Sequence, residues 1–376
     1  MKKEYDVIII GGGPAGLSGA IITSEFGAST LVVDENHEIG GQLIKQTHKF
    51  FGAEEHYCGI RGINIRKILY ERAKELGAEI KLQTSCIGLY EGNIAALYSD
   101  EKVYKVKYKY AIVAPGAREN MIIFENNDLP GIYGAGAVQT LVNVYGVKPG
   151  EKVLMIGSGN IGLIVSYQLM QAGIKVVAII EALPTIGGYW VHAAKVRRLG
   201  IPILVEHTIK EAIGETHVEG AIIWQIKNWQ GVPGTEKKID CDVICLAAGL
   251  SPASELLEQA GCEMVYIPEL GGRVAWHDEN LRTSVKSIYV AGDVSGIEEA
   301  VTAMLEGKLA GAAIMYELTG NMRARKIMEE TKTALEEFRQ GHFGNKARIG
   351  KSKLKELNKH YIQPVSYTHL TLPTKA

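Results

Sequence analysis

Apolar residues in this chain come in short unbroken runs, several of them closed by glycine. Val7-Ile8-Ile9-Ile10 leads into Gly11-Gly12-Gly13, Val153-Leu154-Met155-Ile156 into Gly157-Ser158-Gly159, and Ile112-Val113-Ala114 into Pro115-Gly116. Such runs, without polar alternation, predict strands buried on both faces, as in parallel sheets flanked by helices. The pattern predicts strands over 5–10 and 30–34 with a helix over 14–26 between them. A helix over 63–76 ends at Gly77, and strand-like stretches follow at 78–84, 86–90, 93–98, 102–108 and 110–116. Residues 134–145 read as a helix, 153–172 as a strand and helix, 175–180 as a strand, and 188–199 as a helix ending at Gly200. Strands near 202–207, 209–213, 217–227 and 236–239 precede another apolar strand over 242–249. Residues 287–293 form a short strand ending in Gly-Asp, a helix spans about 298–318, and 322–360 is charged and mostly helical, broken at Gly341, Gly344 and Gly350.

Two of the glycine closures share a pattern: Gly11-x-Gly13-x-x-Gly16 and Gly157-x-Gly159-x-x-Gly162. The first glycine makes the tight turn out of the strand, the second admits a pyrophosphate against the backbone, and the third lets the helix pack close. Neither loop carries a lysine, so backbone N–H groups and the helix dipole must hold the diphosphate. Pro14 suits the first helical turn, where its missing N–H is not needed. An acidic residue follows each loop by about two dozen residues, near the spacing of a ribose-binding carboxylate. These are Asp34, with Glu35 as the alternative if the strand runs one residue longer, and Glu181. A carboxylate repels a 2′-phosphate and no arginine closely follows Glu181, which favours NAD over NADP at the second loop. Two dinucleotide sites in one polypeptide point to electrons moving between two cofactors.

With 376 residues, two domains are the natural expectation. The strands ending near 116 and 249 suggest two chain crossings, one leaving the first domain near 115–120 and one returning near 248–253. The first domain is then discontinuous, comprising 1–117 and 250–320, with 118–249 inserted, a helical extension at 321–363 and a tail at 364–376. That tail has no charge before Lys375 and reads as a disordered or non-native extension. A formal net charge of −1 offers no basic field for nucleic acid or a membrane surface. The first apolar run is too short and glycine-broken for a signal peptide or membrane span, so a cytoplasmic protein is expected. Five cysteines (Cys58, Cys86, Cys241, Cys245 and Cys262) form no C-x-x-C pair and no zinc or iron–sulfur cluster, so burial in a reducing compartment is expected for all of them. Cys241 and Cys245, read on one face of one strand, would lie about 13 Å apart if extended. That is too far for a disulfide.

Four spaced elements carry a resemblance covering residues 5 to about 320: the two glycine loops, Ala114-Pro115-Gly116 and Ala291-Gly292-Asp293. The chain resembles the two-dinucleotide-domain flavoproteins of the thioredoxin reductase and glutathione reductase type. The resemblance implies an α/β fold of two Rossmann-like domains, the first binding FAD and the second a nicotinamide dinucleotide. It implies FAD contacts from Gly11, Gly13, Pro14, Ala15, Gly16 and Asp34 or Glu35 in the first crossover. Asp293, after Gly292, would meet the ribityl chain or a nearby phosphate, and Gly41-Gln42-Leu43 would lie beside the isoalloxazine. Ala114, Gly116, Glu299 and Ala300 complete that set. For NAD the implied residues are Gly157, Gly159, Asn160, Ile161, Gly162, Glu181, Ala248 and Gly249.

A closer similarity is to the α subunits of bacterial sarcosine oxidase, opine oxidase, hydrogen cyanide synthase and dye-linked proline dehydrogenase. It rests on Gly40-Gly41-Gln42-Leu43, 115–119, 128–132, 134–139, Gly187-Gly188-Tyr189 with 192–195, and 339–344. It implies a subunit that handles FAD and NAD beside a second, flavin-containing subunit that oxidises an amine or amino acid. Self-association is left open. The thioredoxin reductase C-x-x-C is absent, and so is the cysteine pair that glutathione reductases carry after the first acid, which disfavours dithiol chemistry. The folate and cysteine-rich modules of larger sarcosine oxidase relatives are missing too.

Hydride transfer between nicotinamide and flavin needs little acid–base help. The helix beginning near Glu298-Glu299-Ala300 is the candidate to stabilise a reduced flavin with its positive end. Lys45, His48 and Lys49 are candidate catalytic cations, with a solvated loop as the plainer alternative. His192 and Lys195 are candidates for the nicotinamide pocket, against ordinary helix surface. The expected function is an FAD-dependent, NAD-linked oxidoreductase passing electrons to or from a partner. The alternatives are a stand-alone NADH:acceptor reductase and a nucleotide-holding structural subunit without turnover. The crossings could act as a hinge.

Overall fold

The computed structural model describes residues 2–341 and 344–357. The tail, the end of the helical extension, and His342 and Phe343 of the 339–344 motif lie outside the described residues. The chain opens with β1 (Glu4–Ile10), α1 (Pro14–Glu25) and β2 (Thr30–Val33), then α2 (Gly62–Glu75) and β3 (Glu79–Lys81). A meander of β4 (Ser85–Tyr90), β5 (Ile94–Ser99) and β6 (Lys102–Val113) follows. Their sheet runs β3-β2-β1-β6-β5-β4, and the late strand Ile288–Val290 also pairs with β6. β1, β2, β3 and the late strand are parallel to their neighbours, whereas β4 and β5 are antiparallel.

From β7 (Ala117–Glu119) the chain enters a second sheet. Its elements are β8 (Ile132–Gly134), α3 (Ala135–Asn143), β9 (Lys152–Ile156), α4 (Asn160–Gln171), β10 (Lys175–Ile180), α5 (Trp190–Arg198) and β11 (Ile203–Leu204). The antiparallel strands β12 (His207–Ile213), β13 (Gly220–Lys227), β14 (Gln230–Gly231) and β15 (Lys237–Ile239) follow, then β16 (Val243–Leu246). The parallel sheet has the order β11-β10-β9-β16-β8. The chain returns through β17 (Leu250–Pro252), which pairs antiparallel with β7, Leu250 opposite Glu119 and Pro252 opposite Ala117. Both connections between the lobes therefore run in one two-stranded ribbon. The remainder is α6 (Glu255–Gln259), β18 (Met264–Ile267), β19 (Gly272–Ala275), β20 (Ile288–Val290), α7 (Ala300–Thr319), α8 (Met322–Arg339) and α9 (Asn345–Leu357).

The first lobe's core is built on β1 and β6, with α1 laid against β1 and α7 packed on α1, β6 and β20. Val7, Ile8 and Ile9 are fully buried. The two helices touch through glycine: a Cβ on Gly307 would stand 1.9 Å from the Ala15 carbonyl oxygen, and one on Gly311 3.0 Å from that of Gly19. This close crossing sets the start of α7 beside the start of α1. It brings the turn before α7 to the first glycine loop, where a Cβ on Gly292 would meet that of Ala15 at 3.0 Å.

Several expectations change. The stretches 102–108 and 110–116 belong largely to one strand, β6. Its Lys/Tyr-rich half pairs with β5 and its apolar half lies between β1 and β20, so the pattern changes without a turn. Gly350 does not break the last helix; it lies inside α9, where a Cβ would come within 2.6 Å of the Leu270 side chain. The stretch 202–207 is split, because Glu206 takes a left-handed φ of 53° between β11 and β12. Cys241 and Cys245 do not share a face. Cys241 precedes β16, beside Asp242, whose carboxylate accepts the Glu151 and Lys152 N–H groups at 2.8 and 2.7 Å. Cys241 packs with Ile209 and Ile244, and Cys245 with Val153 and Met155.

Nor are all five thiols buried: Cys58 is exposed, Cys86 is half-buried, and Cys241, Cys245 and Cys262 are buried. Burial pushes the thiols up, Cys86 to about 11 and Cys241 to about 12. Thiolate is the reactive species. A thiol reagent at pH 8 is therefore expected to modify one group rapidly in the native protein, and Cys58→Ser should abolish that phase. Two or more fast equivalents in the native protein would contradict the packing described.

Candidate functional site

The two glycine loops are built by one set of contacts. A Cβ on Gly11 would lie 2.2 Å from the Ala114 carbonyl oxygen, and one on Gly157 2.4 Å from that of Ala247. On Gly16 it would lie 1.9 Å from the Gly11 carbonyl oxygen, and on Gly162 2.1 Å from that of Gly157. The outer glycines are thus dictated by the protein's own backbone. The middle ones are not: Gly13 would meet only the Gly41 Cα, at 3.9 Å, and Gly159 nothing within 4 Å. Open space in front of the middle glycine is what an approaching pyrophosphate requires. Gly13 and Gly159 are also the N-caps of α1 and α4, and neither helix has a side-chain cap. The free N–H groups of those first turns face that space and suit an anion.

Each acid closes its loop in the same way. Asp34 accepts the Gly12 N–H at 2.7 Å through Oδ2 and the Asn36 N–H at 2.9 Å through Oδ1. Glu181 accepts the Ser158 N–H at 2.9 Å and its hydroxyl at 2.7 Å through Oε2, and the Leu183 N–H at 3.0 Å through Oε1. β2 ends at Val33, which places Asp34 at the strand end and leaves Glu35 exposed. A glycine pair then covers each loop: the Gly40 N–H donates to the Gly12 carbonyl at 2.9 Å, and the Gly188 N–H to that of Ser158 at 3.0 Å. The pairs come from Ile39-Gly40-Gly41 and Ile186-Gly187-Gly188, an internal repeat that flags both covers in the sequence. The counterpart of Ala114 is Ala247, one residue before the expected Ala248: Ala114 N–H bonds to Ile10 and Ala247 N–H to Ile156. Gly116 and Gly249 follow with φ of 81° and 101°. Both loops fit a dinucleotide.

The turn before α7 faces the first loop. Gly292 holds a φ of 78° and donates its N–H to Glu306 at 2.9 Å. Asp293 is half-buried and accepts the Glu298 N–H at 3.3 Å. Burial, with the Glu306 and Glu298 carboxylates adding repulsion, pushes Asp293 up to about 7 despite that N–H. α7 begins at Ala300, and Glu299 caps it reciprocally with Thr302. Part of the helix's positive end is therefore already used.

The cationic candidates separate. Lys45 is buried, and its Nζ donates across the lobe boundary to the Gly136 carbonyl at 3.0 Å and the Thr140 hydroxyl at 3.2 Å. Burial lowers its pKa, against a smaller pull from Glu119. Gln42 and Lys49 are exposed, and Leu43 is buried. His48 is half-buried and meets His192 edge-on at 6.4 Å. His192 is buried between Phe51, Tyr189 and His48, with burial and Lys195 lowering it to about 4. It is not ordinary helix surface. Lys195 lies over the rings of Phe51 and Tyr167. Glu299 also reaches the second loop, its Oε1 accepting from the Tyr189 hydroxyl at 2.7 Å and the Asn160 amide at 3.2 Å. Ile161, beside Asn160, is exposed. Among the described residues no His/Cys/Asp/Glu group could hold a metal, and no helix is long and apolar enough to cross a membrane.

Two Rossmann-like lobes, each with a glycine loop between a parallel strand and a helix, give the architecture of a flavoprotein-type oxidoreductase. Residues 5–307 match the pyridine nucleotide-disulphide oxidoreductase family, and the chain belongs to that family. It is 27% identical to the alpha chain of sarcosine oxidase from Corynebacterium sp. (strain P-1) over 325 residues, 82% of this chain and 32% of that one. It is 24% identical to the HcnB subunit of hydrogen cyanide synthase from Pseudomonas aeruginosa over 338 residues, 82% of this chain and 70% of that one. The chain thus spans about a third of the sarcosine oxidase polypeptide. Its fold is similar to T. acidophilum thioredoxin reductase (TM-score 0.70, 22% identity, 84% of this chain and 99% of that one). It is also similar to L-proline dehydrogenase from P. horikoshii (TM-score 0.66, 24% identity, 87% and 59%). The resemblance read from the motifs holds, and all five cysteines are free.

A raised carboxyl stabilises the fold fully below its unfolded pKa and loses that contribution as pH rises through its folded value. Between its ordinary value of 3.8 and about 7, Asp293 in nucleotide-free protein thus becomes progressively more costly. Asp293→Asn is expected to raise the melting temperature of nucleotide-free protein at pH 8 by several degrees and to leave it unchanged near pH 4. An equal shift at both pH values would place the effect elsewhere.

Proposed function

We propose that this chain is an FAD-dependent, NAD-linked oxidoreductase. It works as the electron-transferring subunit beside a second, flavin-containing subunit that oxidises an amine or amino acid. The observation that carries the reading is the duplicated loop: two open anion-binding turns with the same acid closure, in a chain whose cysteines are all free. FAD is held by 1–117 and 250–320, NAD by 118–249, and 321–363 is an extension of the first unit. The relatives it matches are themselves subunits, which supports a partner. Five unpaired thiols support a reducing, cytoplasmic setting.

The flavin, when bound, supplies the hydride acceptor and donor. The residues here bind and orient. Gly13 and the start of α1 take the first diphosphate, while Asp34, fixed by Gly12 and Asn36, presents its carboxylate to the adenosine ribose. Gly159 and α4 do the same for the nicotinamide dinucleotide. Glu181, fixed by Ser158 and Leu183, accepts from a 2′-hydroxyl and repels a 2′-phosphate, which favours NAD. Asp293, raised toward neutral pH, can donate or accept at the ribityl chain. Of the three cationic candidates, Lys45 is the one hydrogen-bonded across the lobe boundary, beside the Gly41–Lys45 turn. His192, neutral and buried, lines the approach between the lobes.

Anaerobic titration of the flavin-loaded protein tests the reading. NADH is expected to bleach the flavin band near about 450 nm, and NADPH to do so far less efficiently. A chain that retains no flavin when expressed with excess FAD overturns the proposal. Turnover of NADH with dyes and no dependence on an amine-oxidising partner would assign a stand-alone reductase instead. In Glu181→Ala the preference for NADH over NADPH is expected to fall by roughly tenfold, the size of one lost charged contact. An unchanged ratio would remove Glu181 from cofactor selection.

A further inference from the structure

The turn that faces the first loop contains no cation of its own. Between Gly292 and Glu306 the charged residues are Asp293, Glu298, Glu299 and Glu306, all acidic. Two of them are neutralised from outside, by helices well downstream. Glu306 is 2% exposed; its Oε2 takes the Gly292 N–H and the Ser295 hydroxyl, and its Oε1 takes Arg339 at 2.8 Å and Lys351 at 3.0 Å. Arg339, at the end of α8, also grips Glu298 with two bonds of 2.9 and 2.6 Å. Lys351, in α9, donates further to the Ser295 carbonyl at 3.0 Å and hydroxyl at 2.8 Å, and approaches His277 Nε2 at 3.3 Å. His277 is buried, and with Nδ1 on the Asp278 carbonyl its Nε2 can accept.

The packing agrees with the charges. Leu354 of α9 is buried with Ile267, Leu270 and Val274, and Gly350 lies against Leu270. Leu270 in turn touches the turn: its carbonyl accepts the Ile297 N–H at 3.0 Å, and a Cβ on Gly296 would come within 2.8 Å of its side chain.

From this geometry we infer that Arg339 and Lys351 are positioning residues of the flavin site, and that α8 and α9 form a cationic brace without which the 292–299 turn cannot present Asp293 to the cofactor. The inference rests on the reading that FAD occupies the first loop. Its physical basis is electrostatic. An unneutralised Glu306 in the interior repels both the neighbouring carboxylates and an incoming diphosphate. Removing one partner of a buried pair is far costlier than removing both. With Lys351 gone, Gly292 loses its fixed acceptor geometry, and Asp293 follows it by one residue.

Full-length protein carrying Lys351→Met is the test, read out by the FAD dissociation constant, the flavin reduction potential and the melting temperature of the nucleotide-free form. FAD is expected to bind at least about tenfold more weakly and the potential to become more negative, since a cation has been withdrawn from the site. Lys351→Arg should restore both, and the charge-balanced double variant Glu306→Gln with Lys351→Met should recover most of the affinity. Should K351M not fold, Arg339→Lys keeps the charge but cannot span Glu298 and Glu306, and is expected to weaken FAD in the same direction. A fall in melting temperature with unaltered FAD affinity and potential would falsify the inference alone. Wild-type protein that binds no FAD overturns the parent reading as well.

Discussion

In each lobe the carboxylate that ends one strand accepts the N–H at the centre of the glycine loop that ends its neighbour. The bonds are Asp34 to Gly12 at 2.7 Å and Glu181 to Ser158 at 2.9 Å. These are buried, charge-assisted bonds, about twice as strong as neutral ones. They hold the loop in a conformation that its glycines permit but do not enforce, because glycine alone would leave the turn free. With the loop fixed, the first turns of α1 and α4 keep unbonded N–H groups aimed at open space. The Ile39-Gly40-Gly41 and Ile186-Gly187-Gly188 segments can then close over them without a Cβ intervening. Nearly every feature that suits these lobes to a nucleotide depends on that one contact made twice.

The start of α7 couples the two lobes. Its position is fixed from behind by the glycine contact with α1, and its N-cap, Glu299, is also the acceptor for Tyr189 and Asn160 of the second lobe. The capping acid of the first lobe thus touches the loop residue next to Gly159. Burial raises the pKa of Glu299, and the Tyr189 and Asn160 bonds oppose that rise. Capping, lobe contact and charge balance share a single side chain, so the arrangement of the lobes and the geometry of the 292–299 turn are not independent.

What could be read in the sequence was local. Strand, glycine turn, helix and terminal acid lie within some two dozen residues, and each imposes its chemistry on its neighbours, so β1 through β2 and β9 through β10 are placed nearly to the residue. The repeat of Ile-Gly-Gly was equally local and could have been read as the second cover. Features set by distant partners could not. Lys45 looks like solvated loop until Gly136 and Thr140 arrive from a separate lobe. Gly350 looks like a break until Leu270 packs against it. Cys241 looks like part of β16 until Asp242 caps the Glu151 and Lys152 amides and bends the chain. Arg339 and Lys351 sit on helices whose charge suggests only a wet surface, because their acidic partner lies 33 and 45 residues earlier. The region 254–286 is silent for another reason: β18 and β19 are four residues each, too short for a period to declare itself.

The ribbon of β7 and β17 bears on how the molecule comes together. To the first lobe, the whole intervening segment is a loop whose ends must meet at Ala117 and Pro252. Closing a disordered loop of that length carries an entropy cost that grows with the logarithm of its length, about 0.6 kcal/mol for each doubling. Once the second sheet has formed, its ends already stand side by side and that cost has been met. The outer lobe then needs only to join across three paired residues, although its two halves are synthesised at opposite ends of the chain. That geometry favours an assembly in which the inserted lobe forms first and the split outer lobe closes around it.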